Sequence, residues 1–388
     1  MSASRQSHGL LESLAARCGL ILAAAGALAT VAQAGPLGAP GDLYVISFNT
    51  HSVIQFDAAT GALVGTFAQG GGGMHSPFDL RFGPNGNLFI TNQAGWGVSE
   101  YDGQTGEFLR TFTDGHTCDS TGLAFKPDGN LLVANLDSLC VSGPPFDCPF
   151  DPLSHLGCVG SSIAEFDGTG EGFIATFAQS VTPEGLRFGP DGALYVSVLS
   201  APQGINRAII RYTDQGALLG QFNHETVGPP GDLLQPEGLD FGPDGNLYVA
   251  DGLRNNVKVY DGVTGERIRQ IANDGSLYRP IGLEFGPDGN LFVSSTMPGR
   301  VVEYDITGQF IREITGIPGA RGLTFKPGAS PPPCLADIDG DGDADVADFF
   351  AFVVAFASGD PAADVNGDGS IDVGDFFAFV AAFAVGCA

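Results

Sequence analysis

One twelve-residue unit recurs along this chain, Gly-Leu-x-Phe-Gly-Pro-Asp-Gly-Asn-Leu-Tyr-Val, clearest at Gly238–Val249 and Gly282–Val293. Each copy reads as a short apolar strand, a tight turn and a second apolar strand. Pro sets φ where the turn begins, and Gly supplies the positive φ that closes it. Further copies begin at Asp79, Gly122 and Gly185, and a half-copy, Gly322–Gly328, has no second strand after it. The missing strand stands at the other end of the chain, Gly41–Val45. Six first strands therefore find six second strands, provided the two ends meet.

Between these units runs a second signal, aromatic-Asp-x-x-Thr-Gly, at Phe56, Tyr101, Tyr260 and Tyr304, with degenerate forms at Phe166 and Tyr212. Strands on either side of that turn bring each repeat to four. The Phe-x-Pro landmark recurs at intervals of 43, 63, 53, 44 and 40 residues, a period just over forty with two insertions. Four strands at that period describe a propeller blade, whose faces are buried only by neighbouring blades. A shared blade joining the two ends would remove the free edges of the ring. Over residues 41–328 the repeat resembles the NHL family of six-bladed propellers. The resemblance implies an all-β six-bladed fold and leaves the activity open, since this architecture carries both binding proteins and enzymes.

Residues 1–34 have the pattern of a signal peptide: Arg5 and Arg17, an apolar run from Gly19 to Ala32, then Ala32-Gln33-Ala34 before Gly35. The run is short for a membrane span. The mature protein is therefore expected to be secreted, extracellular or in the cell envelope, with no membrane span after cleavage. The formal charge of −27 argues against a nucleic-acid partner. Beyond Cys18, six cysteines remain: Cys118, Cys140, Cys148 and Cys158 in one blade, and Cys334 and Cys387 around the tail. An even count in an exported chain predicts disulfides, with a four-thiolate zinc site as the alternative for the first group.

The turns are short on one expected face of the ring, while the connections Asn135–Ser161, Leu199–Arg207, Asn223–Pro236 and Gln69–His75 are long. Long loops gathered on one face of a rigid scaffold commonly carry binding. The residue before Gly-Leu in each blade is expected at the channel mouth there: Phe78, Thr121, Glu184, Glu237, Ile281 and Arg321. Asn92, Asn135 and Asp251 end the second strands nearby. Glu184, Glu237 and Asp251 are the candidate catalytic residues, and with the two Asn they offer oxygen ligands for a divalent metal. The arrangement is similar to gluconolactonase-like propellers, which implies a metal-dependent lactonase or lyase. The alternative is that both Glu pair with Arg321 and seal the mouth. His51, His75, His116, His155 and His224 lie on the same loops without ligand spacing.

After a proline-rich linker at 329–333, residues 334–388 form a separate unit. From Pro331 to Ala388 there are eleven Asp and no Glu, Lys, Arg or His. Two twelve-residue loops repeat 27 residues apart. Asp337, Asp339, Asp341, Asp343, Asp345 and Asp348 form the first; Asp364, Asn366, Asp368, Ser370, Asp372 and Asp375 the second. Oxygen side chains at positions 1, 3, 5, 9 and 12, with Gly342 and Gly369 at position 6, match the EF-hand pattern and predict two Ca²⁺. Helices are expected over 348–356 and 375–383, with Phe349, Phe352, Val353 and Phe356 on one face, repeated at Phe376, Phe379, Val380 and Phe383. Asp at position 12, with a helix only after each loop, resembles the dockerin module of cellulosomal proteins. The resemblance implies attachment to a cohesin-like partner and extracellular polysaccharide degradation as one setting. The usual partner-reading positions are apolar here, Val346-Ala347 and Val373-Gly374. Such apolar helices need cover, from a partner domain or the protein's own propeller. The function expected is that of a secreted calcium-binding protein whose propeller is a binding scaffold for a protein, small molecule or carbohydrate. Enzymatic action at the mouth is the alternative.

Overall fold

In the computed structural model the described residues are 37–70, 73–93, 97–113, 117, 119–136, 161–170, 172–224, 233–272, 275–328, 338, 346–360, 363, 365 and 370–385. The segment expected to be a signal peptide, the six cysteines beyond Cys18, His116, His155 and most of the two acidic loops lie outside them.

Six four-stranded antiparallel sheets form the ring. The first blade holds β1 (Leu43–Ser47), β2 (Ser52–Phe56) and β3 (Leu63–Gln69). The second holds β4 (Pro77–Phe82), β5 (Leu88–Asn92), β6 (Gly97–Tyr101) and β7 (Phe108–Thr111). The third holds β8 (Asp119–Phe125), β9 (Leu131–Leu136), β10 (Ser162–Phe166) and β11 (Phe173–Gln179). The fourth holds β12 (Pro183–Phe188), β13 (Leu194–Ser200), β14 (Asn206–Tyr212) and β15 (Leu218–Gln221). The fifth holds β16 (Pro236–Phe241), β17 (Leu247–Asp251), β18 (Asn256–Tyr260) and β19 (Arg267–Ile271). The sixth holds β20 (Pro280–Phe285), β21 (Leu291–Ser295), β22 (Arg300–Tyr304) and β23 (Phe310–Thr315). The last strand, β24 (Ala320–Phe325), returns to pair with β1 through Leu43↔Phe325, Tyr44↔Thr324 and Val45↔Leu323. The chain ends meet as the repeat count requires.

The repeated residues have separate duties. Glycines such as Gly245 and Gly289 take φ of 74° and 78° in the tight turns. The Asp one residue before accepts the backbone N–H two positions on, as in Asp244 to Asn246 at 3.1 Å. The aromatic of each second strand packs edge-on against the Phe of the next blade's inner strand. Tyr44–Phe82, Phe89–Phe125, Tyr195–Phe241, Tyr248–Phe285 and Phe292–Phe325 lie 5.1, 5.0, 4.9, 4.8 and 5.0 Å apart. Each such pair adds about 0.5–1.5 kcal/mol beyond its buried area. Leu132 stands in the sixth position, opposite Phe188. The Gly of Gly-Leu lines the channel, where neighbouring inner strands approach one another. A Cβ on Gly238 would sit 2.6 Å from the Ile281 carbonyl, and one on Gly185 2.7 Å from that of Glu237.

Past the ring are helices α1 (Val346–Ser358) and α2 (Val373–Val385), each somewhat longer than expected. Among the described residues no helix is long and apolar enough to cross a membrane.

The glycine contacts set a test. Gly238→Ala should lower stability by about 1–3 kcal/mol through overpacking against the next blade. Gly328→Ala, with nothing within 4 Å, should not. Urea denaturation of both variants checks this, and equal midpoints would show that the inner strands have room to move apart.

Candidate functional site

Every inner strand carries a bulge just before its Gly-Leu, as between Pro236 and Leu239 where it pairs with β17. A bulge re-aims the side chains beside it and leaves a ladder N–H without its partner. In three blades a hydroxyl of the second strand takes that N–H: Thr91 accepts from Asp79, Ser197 from Gly185 and Ser294 from Gly282, at 2.9, 2.8 and 2.8 Å. Thr91 and Ser197 donate onward to the carbonyls of Thr121 and Glu237 in the next blade. Because the bulges turn them inward, the six pre-glycine residues do not ring an open mouth. Glu184 is 5% exposed and Glu237 2%.

These two carboxyls form the electrostatic centre of the long-looped face. Glu237 Oε1 accepts from the Gln235 amide at 2.7 Å, while Oε2 has no protein partner. Burial pushes Glu184 up to about 8, against the pull of Arg321 and Arg279. Burial, then the neighbouring Glu184 charge, raises Glu237 well above the usual carboxylate range. Arg321 acts on both glutamates through its charge, without an ion pair to either among the described residues. Arg321 donates to Gln93 at 3.1 Å, and its guanidinium lies 3.8 Å from the Phe48 ring and 5.0 Å from that of Phe78. Burial lowers its pKa to about 10.

The other candidate ligands are occupied by the fold. Asn92 accepts the His75 N–H at 2.9 Å and donates to Ser99 at 3.0 Å. Asn135 accepts from Ser120 at 3.4 Å. Asp251, wholly buried, accepts from the backbone N–H groups of Leu234, Gln235 and Arg254 at 3.0, 3.0 and 3.3 Å. Among the described residues no three His, Cys, Asp or Glu side chains converge as a metal-holding group. His51 and His75 face each other with ring centroids 6.4 Å apart.

Deeper in the channel lies a charge network absent from the sequence reading. Arg81 is bonded to Glu284, and Arg187 reaches Asp240 at 2.7 Å and Glu284 at 3.6 Å. These residues occupy the x of Gly-Leu-x-Phe in four blades. The signal was in the repeat: charged residues at a position of channel-facing parity. Asp79 stands where five blades have Gly, and burial raises its pKa. The space that Phe78, Asp79, Arg81, Glu184 and Ile281 leave between them is about 20 Å³. That is room for about one water, so these side chains leave little free space between them.

In the C-terminal unit the described part of the acidic loops is mainly their closing end, with Ile338 and Val365 near their start. Asp348 and Asp375, equivalent residues at position 12, are both wholly buried at the first turns of α1 and α2. Asp348 Oδ1 accepts the Ile338 N–H at 2.7 Å, and Asp375 Oδ2 that of Asp372 at 2.9 Å. Phe352 and Phe379, also equivalent, stack at 4.3 Å with 5° between their planes. Phe349–Phe379 and Phe352–Phe376 lie at 6.4 and 6.3 Å, the reciprocal contacts of a pseudo-twofold axis. Buried carboxylates in a unit without a basic residue suit a cation held by oxygen. Phe349 and Val353, expected on one face with Phe352 and Phe356, are 38% and 43% exposed, and Phe350 and Val354 are 63% and 69% exposed. Ser370 and Asp372 are described, while Asp337, Asp339, Asp341, Asp343, Asp345, Asp364, Asn366 and Asp368 are not.

The family model that matches is the WD domain, G-beta repeat, over residues 106–141, spanning β7 of one blade and β8 and β9 of the next. No curated protein matches in sequence. Among solved structures, the nidogen/laminin complex gives a TM-score of 0.55 at 14% identity, over 74% of this chain and 98% of that one. A protein of unknown function from Bacteroides caccae gives 0.51 at 16%, over 74% and 98%. The virginiamycin B lyase of Staphylococcus aureus gives 0.50 at 13%, over 75% and 87%. As many as 1015 solved chains match, so the likeness marks a shared architecture and assigns no activity.

The buried acids set the pH response of the ring. The folded chain keeps protons that the unfolded chain has released. Stability therefore falls as pH rises from the ordinary glutamate value of 4.5 to about 8. Each such group changes the folding equilibrium by roughly tenfold per pH unit across that window. Glu184→Gln should flatten the slope, and a slope unchanged in that variant would place the titration elsewhere.

Proposed function

We propose that this chain is an exported adaptor: an NHL-type propeller that binds a ligand or protein through its long-looped face, carried by a dockerin-like module folded around two Ca²⁺. The observation that carries the reading is the matched burial of Asp348 and Asp375 at the closing position of both acidic loops. Without a cation, eleven Asp in a unit lacking any basic side chain oppose compaction. Two Ca²⁺ bound by Asp337, Asp339, Asp341, Asp343, Asp345 and Asp348, and by Asp364, Asn366, Asp368, Ser370, Asp372 and Asp375, would offset that repulsion. The stacked Phe352 and Phe379 would then join the helices and leave Phe350 and Val354 facing outward. An apolar surface of that kind marks a contact with a protein, here a cohesin-like domain in an extracellular or envelope assembly.

A second reading, a metal-dependent lactonase or lyase, is favoured by Glu184 and Glu237. A carboxyl with a pKa near neutral is suited to exchange a proton with a bound substrate. Its checking experiment is calorimetry of the full chain with Ca²⁺. Catalysis of this kind predicts a binding event that Glu184→Gln/Glu237→Gln removes and that Asp348→Asn/Asp375→Asn leaves intact.

For the adaptor, far-UV circular dichroism of the full chain is decisive, because a β-propeller contributes little helical signal. Millimolar Ca²⁺ after EDTA should increase helix content, and Asp348→Asn/Asp375→Asn should abolish the increase. Bound metal at about 100 times its dissociation constant would contribute about 2.7 kcal/mol per site. Full helix content in EDTA would refute calcium-coupled folding.

A further inference from the structure

An open groove of about 660 Å³ on the long-looped face is used by none of the chemistry above. Leu199, Asn206, Arg207, Leu234, Gln235 and Leu253 line it. They come from three places: the adjoining ends of β13 and β14, the entry to β16, and the turn from β17 to β18. Asp251 ties two of these together, since its carboxylate accepts the backbone N–H groups of Leu234, Gln235 and Arg254. From behind, Glu237 accepts the Gln235 side-chain amide at 2.7 Å. The walls are thus held before a ligand arrives, which reduces the ordering cost of binding.

The lining is amphiphilic. Three leucines supply apolar surface, with Leu253 58% exposed. Asn206 and Gln235 supply amides. Arg207 is the one formal charge among the described lining residues, and it is exposed with a left-handed φ of 51°. Two acids described beside it are turned to other partners. Asp251 is spent on backbone donors, and Glu237 is buried beneath Gln235. In a chain of formal charge −27, a cationic spot framed by leucines is an exception that selects for charge.

We propose that this groove binds an amphiphilic organic anion, its carboxylate against Arg207 and its aliphatic part along Leu199, Leu234 and Leu253. A guanidinium is matched in geometry to a carboxylate, and the apolar walls add about 0.8 kcal/mol per buried methylene. The proposal rests on reading the propeller as a binding scaffold and gives that reading a ligand class.

Calorimetry of the full-length protein with hexanoate, hexylammonium and hexanol tests it, since the three probes share a chain and differ in charge. Hexanoate should bind saturably and roughly tenfold or more tighter than the other two, a difference of about 1.4 kcal/mol. Arg207→Asn, which keeps a residue tolerant of the left-handed backbone, should erase that preference without changing the melting temperature. Leu253→Ser should weaken all three. Hexylammonium or hexanol binding as tightly as hexanoate overturns the anion assignment and leaves the scaffold reading standing. Hexanoate binding unchanged in Arg207→Asn places the ligand elsewhere and overturns the proposal. Failure of all three probes overturns the groove as a site, while calcium-dependent helix formation, measured separately, judges the adaptor on its own.

Discussion

Everything in the propeller depends on a blade having no buried face of its own until a neighbour covers it. The ladder between β24 and β1 is therefore more than a convenience of topology. It joins the last inner strand to the first outer strands, so each of six sheets has a neighbour on both sides. The aromatic pairs from blade to blade, and the glycines at which inner strands touch, are the local form of the same requirement. Where one partner changes, the contact weakens in place, as at Leu132, and the ring tolerates it because the other five remain.

This division of labour explains how a chain so rich in acid folds. Aspartates of the short turns accept backbone N–H groups at the water's edge, where a carboxylate costs little to keep charged. Those drawn inward are paired or neutralised. Arg81 and Arg187 answer Glu284 and Asp240 in the channel, and Asp251 is held by three N–H groups. Glu184 and Glu237 lack such partners, so burial keeps protons on them. A buried ion pair adds little net stability, and the cross-channel network is better understood as fixing which blades stand opposite.

The C-terminal unit solves a different problem with the same residue. Its 27-residue duplication places Asp348 with Asp375 and Phe352 with Phe379 about one axis, so one stacked contact serves both halves. So small a unit buries little apolar surface, and its core is a handful of residues including Phe352, Ala355, Ala363, Val365 and Phe379. That thin core leaves Phe350 and Val354 outside it, which is the physical ground on which the proposed need for a cation and a partner rests.

The sequence by itself determined the blade count, the strand order and the meeting of the ends, because each is set by local patterns that recur: alternating apolar residues, Pro and Gly at turns, and a period just over forty. It also determined the tail's twofold duplication. It named Glu184, Glu237 and Asp251 as neighbours on one face, yet it could not assign their duties. Tertiary structure decided those. A bulge at one place in every inner strand turned the two glutamates into the interior, and backbone N–H groups from the entry to β16 and the turn after β17 claimed Asp251. The charge network at the x positions and the groove beside Gln235 were likewise settled only in three dimensions. Side-chain environment depends on which blades and loops converge, and residues far apart in the chain set it.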